Sequence, residues 1–309
     1  MAISASVFRH LEKLVGKDFV TQNKADLLCY SYDATGQSCL PDVVIFPNSE
    51  AQVAQIMKLA WENCLPVIPR GSGSGMTGGA VPVKGGLVVA TSRMNRILAI
   101  DEENFTATVE PGVIVSHLHA AVEARGLFYP PDPASAAVCT IGGNVGECAG
   151  GPRAVKYGVT REYVLGLQAV LPAGEIIRTG VSTAKGVAGY DLTRLIVGSE
   201  GTLALVTRIV LKLLPKPECV ATLAVCFDDM CTAARAVSGI MRLAVIPRCV
   251  EYLDAASLDL VKDHLHFVLP GQARALLILE VDGDAGSVKA QTDLITKFCT
   301  KAGALDIRT

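Results

Sequence analysis

The run Arg70-Gly71-Ser72-Gly73-Ser74-Gly75-Met76-Thr77-Gly78-Gly79 concentrates groups able to hold an anion, and five of its ten residues are glycine. Glycine tolerates positive φ and has no side chain, so successive backbone N–H groups can turn inward around a charged group. Arg70 adds a fixed positive charge, and Ser72, Ser74 and Thr77 add hydroxyl donors. The chemistry this implies is capture of a phosphate or pyrophosphate. Gly73, Gly75 and Gly78 also satisfy G-x-G-x-x-G, with Asp101 near the place of a ribose-binding acid. A Rossmann fingerprint needs a helix opening at its third glycine, to bring the helix N-terminus to the pyrophosphate. Here Pro82 and the Gly85-Gly86 pair exclude a helix of useful length. The pattern therefore predicts strand, phosphate loop, strand.

Two further blocks carry similar chemistry. Residues 130–151 hold Pro131, Asp132, Pro133 and Ser135, then Thr140, Gly142, Gly143, Asn144 and Gly146, and close on Gly150-Gly151. Prolines there predict a rigid, irregular path, and glycines allow close approach of backbone to a ligand. Two glycine-dense segments with small hydroxyl residues favour one extended ligand held by both. The third block runs from Gly189-Tyr190-Asp191-Leu192 to Gly198-Ser199-Glu200-Gly201-Thr202-Leu203. Arg194, Arg248 and Lys185 are candidate carboxylate binders, although exposed basic residues are common. His117 and His119 lie well apart around a predicted helix and cannot easily share a metal. No metal site is expected.

The elements that must position these residues follow from local pattern. Val7, Leu11, Leu14 and Val15 recur at helical spacing and stop at Gly16. Residues 42–46 read as a strand. Ser49 and Gln52 form a capping box for a helix to about Glu62. Residues 65–68 are the strand that feeds the glycine loop, giving a β-α-β lobe. Short strands follow at 87–90, 97–100 and 107–110, then a helix over 115–125. Residues 167–171 and 176–179 predict an antiparallel hairpin. Asp191 caps a helix that Gly198 stops, and a strand runs from Gly201 to about Leu214. Pro215-Lys216-Pro217 reads as a stiff linker. Beyond it, residues 220–227, 229–243 and 249–253 predict a β-α-β unit. A strand at 275–281, a helix at 287–302 and a strand just beginning at 305 come next.

The 309 residues leave room for two domains and a sizeable core. The formal net charge of −2 and the lack of a long basic run argue against nucleic acid as a partner. No apolar run reaches the ~20 residues of a spanning helix. The N-terminus lacks a basic segment followed by an apolar one, so no signal peptide is expected. The ten cysteines contain no C-x-x-C pair, which argues against an iron–sulfur or zinc cluster within the chain and for reduced thiols in a cytoplasmic protein.

Taken together, Pro69 to Gly79, Pro131-Asp132-Pro133 with Thr140 to Asn144, Tyr157-Gly158, and Gly189 to Leu192 with Gly198 to Leu203 resemble the vanillyl-alcohol oxidase / p-cresol methylhydroxylase (PCMH) superfamily. The resemblance is greatest to its glycolate oxidase and D-lactate dehydrogenase branch. It implies an α+β fold: a two-lobed PCMH-type FAD-binding domain over residues 1–216, then part of an α/β cap domain with an antiparallel sheet over 217–309. It implies FAD, with residues 70–79 at the pyrophosphate, residues 131–146 along the flavin and ribityl side, and Glu200-Gly201 near the adenosine end. Gly151, Tyr157 and Gly158 join these as implied cofactor-binding positions. Some members attach flavin through a histidine at the position of Ser74, and a serine cannot form that bond, so non-covalent FAD is expected.

The implied reaction is oxidation of a small 2-hydroxy acid, glycolate or D-lactate, with electrons passed to a quinone-linked acceptor or an iron–sulfur partner subunit. Such a partner would place the protein at the periphery of the inner membrane. The branch carries its catalytic base and a histidine-rich metal motif in the later part of the cap domain, so these are expected beyond residue 309, in a chain roughly half as long again. Two alternatives share the fold. One is a non-catalytic flavin-binding relay subunit. The other is a UDP-N-acetylmuramate reductase-like enzyme, which the Gly189-to-Leu192 and Gly198-to-Leu203 segments argue against.

Overall fold

A computed structural model describes residues 3–183 and 185–309. The chain divides into two compact units, one formed by Met1–Gly150 with Val159–Pro215 and the other by Gly151–Gly158 with Lys216–Thr309.

The first unit opens with the helix Ala5–Val15. Ser4 Oγ accepts from Val7 N–H, Val7, Leu11 and Val15 are buried, and Gly16 ends the helix at φ 94°. A four-stranded sheet follows, in the order Val20–Thr21, Val43–Ile45, Leu87–Ala90, Val67–Arg70. The last three strands are parallel and the first is antiparallel to its neighbour. Residues 43–45 and 87–90 are buried at every position, as a sheet covered on both faces requires. The helix Glu50–Glu62 packs Val53, Ile56 and Leu59 into the same core as Leu11, Ile45 and Leu87. Its cap differs from the expected box: Ser49 Oγ accepts from Gln52 N–H, but Gln52 Oε1 accepts from Asn48 N–H. The strand–loop–strand expectation holds, since Val67–Arg70 and Leu87–Ala90 pair directly in parallel.

A five-stranded antiparallel sheet forms the other layer of this unit, in the order Ile97–Asp101, Thr106–Val109, Leu205–Lys212, Val164–Val170, Ile176–Gly180. The expected hairpin is present, with Val170 opposite Ile176. Two expectations are corrected. The strand read from Gly201 begins at Leu205, because Glu200 (φ 52°) and Gly201 (φ 76°) both take left-handed backbone that cannot join a ladder. The segment read as wholly irregular contains a helix, Ile141–Glu147, capped by Thr140 Oγ1 accepting from Gly143 N–H at 3.1 Å.

In the second unit the sheet order is Cys249–Asp254, Ala275–Gly283, Cys219–Phe227, Asp306–Arg308, antiparallel throughout. The two strands expected as one β-α-β unit therefore do not pair, and Ala275–Gly283 lies between them. Side chains alternate between two cores. Val225, Leu277 and Leu279 pack with the helices Met230–Ile240 and Ala285–Lys301, while Cys226 and Leu276 pack with Leu258 of Ala255–Val261. Among the described residues no helix is long and apolar enough to cross a membrane.

Candidate functional site

The glycine loop leaves its strand at Arg70. That residue is buried, and its Nη1 donates to the Ala80 carbonyl at 3.1 Å while the guanidinium lies 5.5 Å from the centre of the Tyr30 ring. Arg70 thus spans the base of the loop. Gly73 takes φ 70°, and a Cβ there would fall on the Arg70 guanidinium. Ser72 donates to the Val138 carbonyl, and Ser74 Oγ donates to Ser135 Oγ at 3.4 Å. The serine hydroxyls expected to face a ligand therefore tie the loop to residues 135–138. Thr77 Oγ1 donates to Glu200 Oε2 at 3.0 Å and accepts from Gly79 N–H.

Asp33 braces the far end. Its carboxylate accepts from Gly78 N–H at 2.9 Å and from the Thr35 amide and hydroxyl. Burial would raise its pKa, but the Thr35 bonds, the Gly78 bond and the Arg70 charge together hold it below the usual carboxylate range. Asp33 was missed in the sequence, where nothing marks an isolated aspartate as a partner of a loop more than forty residues on.

The helix Ile141–Glu147 brings the second glycine segment to the loop. A Cβ at Gly71 would strike Thr140 Oγ1, and one at Gly142 would strike Pro111, whose carbonyl accepts from Gly142 N–H at 2.7 Å. Glycine is required at both places for close approach. Glu200 N–H donates to the Gly146 carbonyl at 2.9 Å, which attaches the third block to the end of this helix. Glu147, also unmarked in the sequence, packs its carboxyl against Gly75.

These segments enclose a cavity of about 460 Å³. Of the sequence-derived positions, Arg70, Gly71, Ser72, Gly73, Ser74, Gly75, Thr77 and Gly79 line it from the loop. Ser135, Thr140, Gly142, Gly143, Asn144 and Gly146 line it from the second segment, and Glu200 and Gly201 from the third. Gly78 is outside the lining, as are Pro131, whose carbonyl is 3.0 Å from His119 Nε2, and Asp132. Gly151, Tyr157 and Gly158 belong to the second unit. There the Tyr157 hydroxyl donates to Asp282 Oδ2 at 2.8 Å, beside Lys156. Arg248, one of the candidate carboxylate binders, stands 3.5 Å from both Glu280 and Asp282, and Arg194 stands 3.5 Å from Asp191.

The cavity suits the group that the resemblance implies. Among the described residues, none accepts from the amide N–H groups of Ser72 to Thr77. The buried Asn144 Nδ2 has no hydrogen-bond partner either. Unpartnered donors on a glycine-rich cradle are what a pyrophosphate would satisfy.

Comparison with known proteins agrees with this geometry. Residues 41–180 match the FAD binding domain family, and residues 216–309 match the C-terminal domain of FAD linked oxidases. Glycolate oxidase subunit GlcD of Bacillus subtilis is 46% identical over 308 residues, covering 99% of this chain and 66% of the relative. D-lactate dehydrogenase of Anaerostipes hadrus is 36% identical over 279 residues, covering 86% of this chain and 58% of the relative. The chain thus spans less than two thirds of either relative. A p-cresol methylhydroxylase structure with substrate bound superposes with a TM-score of 0.80 at 20% identity, covering 99% of this chain and 67% of that one, which establishes the PCMH-type fold. The chain belongs to the FAD-linked oxidase family, with its glycine loop inside the stretch that matches the FAD binding domain.

Proposed function

We propose that this chain supplies the FAD site of a 2-hydroxy-acid dehydrogenase acting on glycolate or D-lactate. The observation that supports it most directly is the set of unpartnered donors, the Ser72-to-Thr77 amides and Asn144 Nδ2, on one glycine-lined cavity. The names of the two relatives supply the substrate class. FAD bound here would accept the α-hydride of the hydroxy acid at N5.

In this reading the loop amides and Asn144 hold the cofactor's phosphates and polar edges. Arg70 and Asp33 keep the loop in its binding shape, and Ser74 leaves the flavin uncoupled from the chain. Residues 1–216 serve as the FAD-binding domain and 217–309 as part of the cap that receives the substrate. In this reading electrons pass onward to a separate acceptor, an iron–sulfur subunit or a quinone-linked protein. Association with such a partner would place a cytoplasmic protein at the inner membrane.

The test is the absorbance spectrum of the purified chain and of its acid-precipitated supernatant, before and after anaerobic addition of D-lactate or glycolate. A flavin spectrum released by acid is expected, and bleaching by one of the two acids would assign the substrate to residues 1–309. A colourless protein that takes up no added FAD would overturn the proposal.

A further inference from the structure

The loop whose amides the FAD reading gives to the phosphates is surrounded by carboxylates. Asp33 accepts from Gly78 N–H, Glu200 accepts from Thr77, and Glu147 packs against Gly75 and lines the cavity. Asp33 and Glu200 each accept a hydrogen bond from the loop. Glu147 is placed differently. It is the last residue of the helix Ile141–Glu147, where the carbonyl end of the helix disfavours negative charge. Burial raises its pKa, and the charges of Glu200 and Asp33 raise it further. Among the described residues the one neighbour favouring its anion is the Thr77 hydroxyl, whose one proton already goes to Glu200. Arg70 faces Tyr30, Tyr32 and Asp33. Among the described residues no cation pairs with Glu147.

A pyrophosphate brought onto this loop adds further negative charge beside Glu147. Like charges at contact distance disfavour joint ionisation, so the ligand and the Glu147 anion compete. A neutral carboxylic acid, by contrast, gains a donor that can bond to a phosphate oxygen.

We propose that Glu147 binds the cofactor as a neutral carboxylic acid, so that capture of FAD takes up a proton at this residue. The inference rests on the FAD reading above and assigns the side chain a role in affinity. By linkage, a ligand that prefers the protonated site binds more weakly as pH rises through the carboxyl's range in the free protein. FAD affinity then falls by up to about tenfold per pH unit until the group's value in the complex is passed.

The experiment is calorimetric titration of the FAD-free full chain with FAD, in two buffers of different ionisation enthalpy, over a pH series. Wild type is expected to take up a proton fraction on binding, and Glu147→Gln, which keeps the shape and a donor, is expected to bind FAD with no uptake and a flattened pH dependence. An infrared difference spectrum of wild type on FAD addition gives a readout that needs no variant: a protonated carboxyl band should appear and be missing in Glu147→Gln. FAD binding by wild type without proton uptake, or equal uptake by both proteins, would overturn this inference and leave the flavin site standing. Failure of wild type to bind FAD would overturn both.

Discussion

Gly73 combines two constraints, a φ of 70° and the Arg70 guanidinium directly where a side chain would begin. A β-branched residue is strained in that backbone region, by about 1–3 kcal/mol, before any clash is counted. Gly73→Val is therefore expected to abolish flavin retention. The ratio of flavin to protein absorbance after gel filtration checks it, and full occupancy would displace the phosphate site from this loop. Asp33 predicts a pH effect of definite sign. Its carboxyl is held below the usual range when folded, so its contribution is fully present above the unfolded value and disappears as pH falls through the folded value. Asp33→Asn should cost about 1 kcal/mol at neutral pH. The gap from wild type should then close as pH drops below the ordinary carboxylate value of about 4. Urea denaturation at a series of pH values measures this, and a gap that widens in acid would refute the bracing role.

The helix Ile141–Glu147 was the least legible element. Its sequence, Ile141-Gly142-Gly143-Asn144-Val145-Gly146-Glu147, contains three glycines, each costing about 1 kcal/mol relative to alanine in a helix interior. Local propensity therefore argued for an irregular path. A Cβ at Gly142 would strike Pro111, and one at Gly143 would crowd the Thr140 hydroxyl at 3.2 Å. Thr140→Ala should cost about 1 kcal/mol through the lost cap. A fall in Tm of about 2–4 °C would accompany it. Differential scanning calorimetry measures that fall, and an unchanged Tm would show that the cap carries no net stability. By contrast, the caps at Ser49 and Asp191 could be read in advance, because a short polar side chain before an apolar-periodic run is a purely local signal. The strand beginning at Leu205 instead of Gly201 depended on Glu200 adopting positive φ, which a non-glycine residue does not advertise.

The second unit takes in a short stretch, Gly151–Gly158, from the middle of the first unit's chain. Lys156, Tyr157 and Arg248 converge there on Asp282, whose side chain is fully buried. Removing one partner from a buried ionic cluster typically costs about 3–5 kcal/mol, because the remaining charges stay out of water uncompensated. Asp282→Leu should therefore destabilise the second unit strongly. Hydrogen exchange should show lost protection in Ala275–Gly283 and around Lys156 together. Protection unchanged around Lys156 would show that the cluster does not hold that stretch.

The strand–loop–strand frame of the glycine loop was readable from residues 65–90 alone. Pro82 and the paired glycines forbid the competing helix through backbone geometry that acts within a few residues. The motifs at 70–79, 131–146 and 198–203 likewise carried the resemblance that implied a cofactor, and the fold gathers most of the first two and Glu200-Gly201 on one cavity. Folding decided which side chains meet them. It turned Ser72 and Ser74 from ligand donors into ties between segments, sent Tyr157 to Asp282, and brought Asp33, Glu147 and Glu200 around one loop. Those pairings join residues as far apart as 157 and 282. Hydrogen bonding and charge act over a few ångströms of space and are blind to separation along the chain, so no local spacing records them.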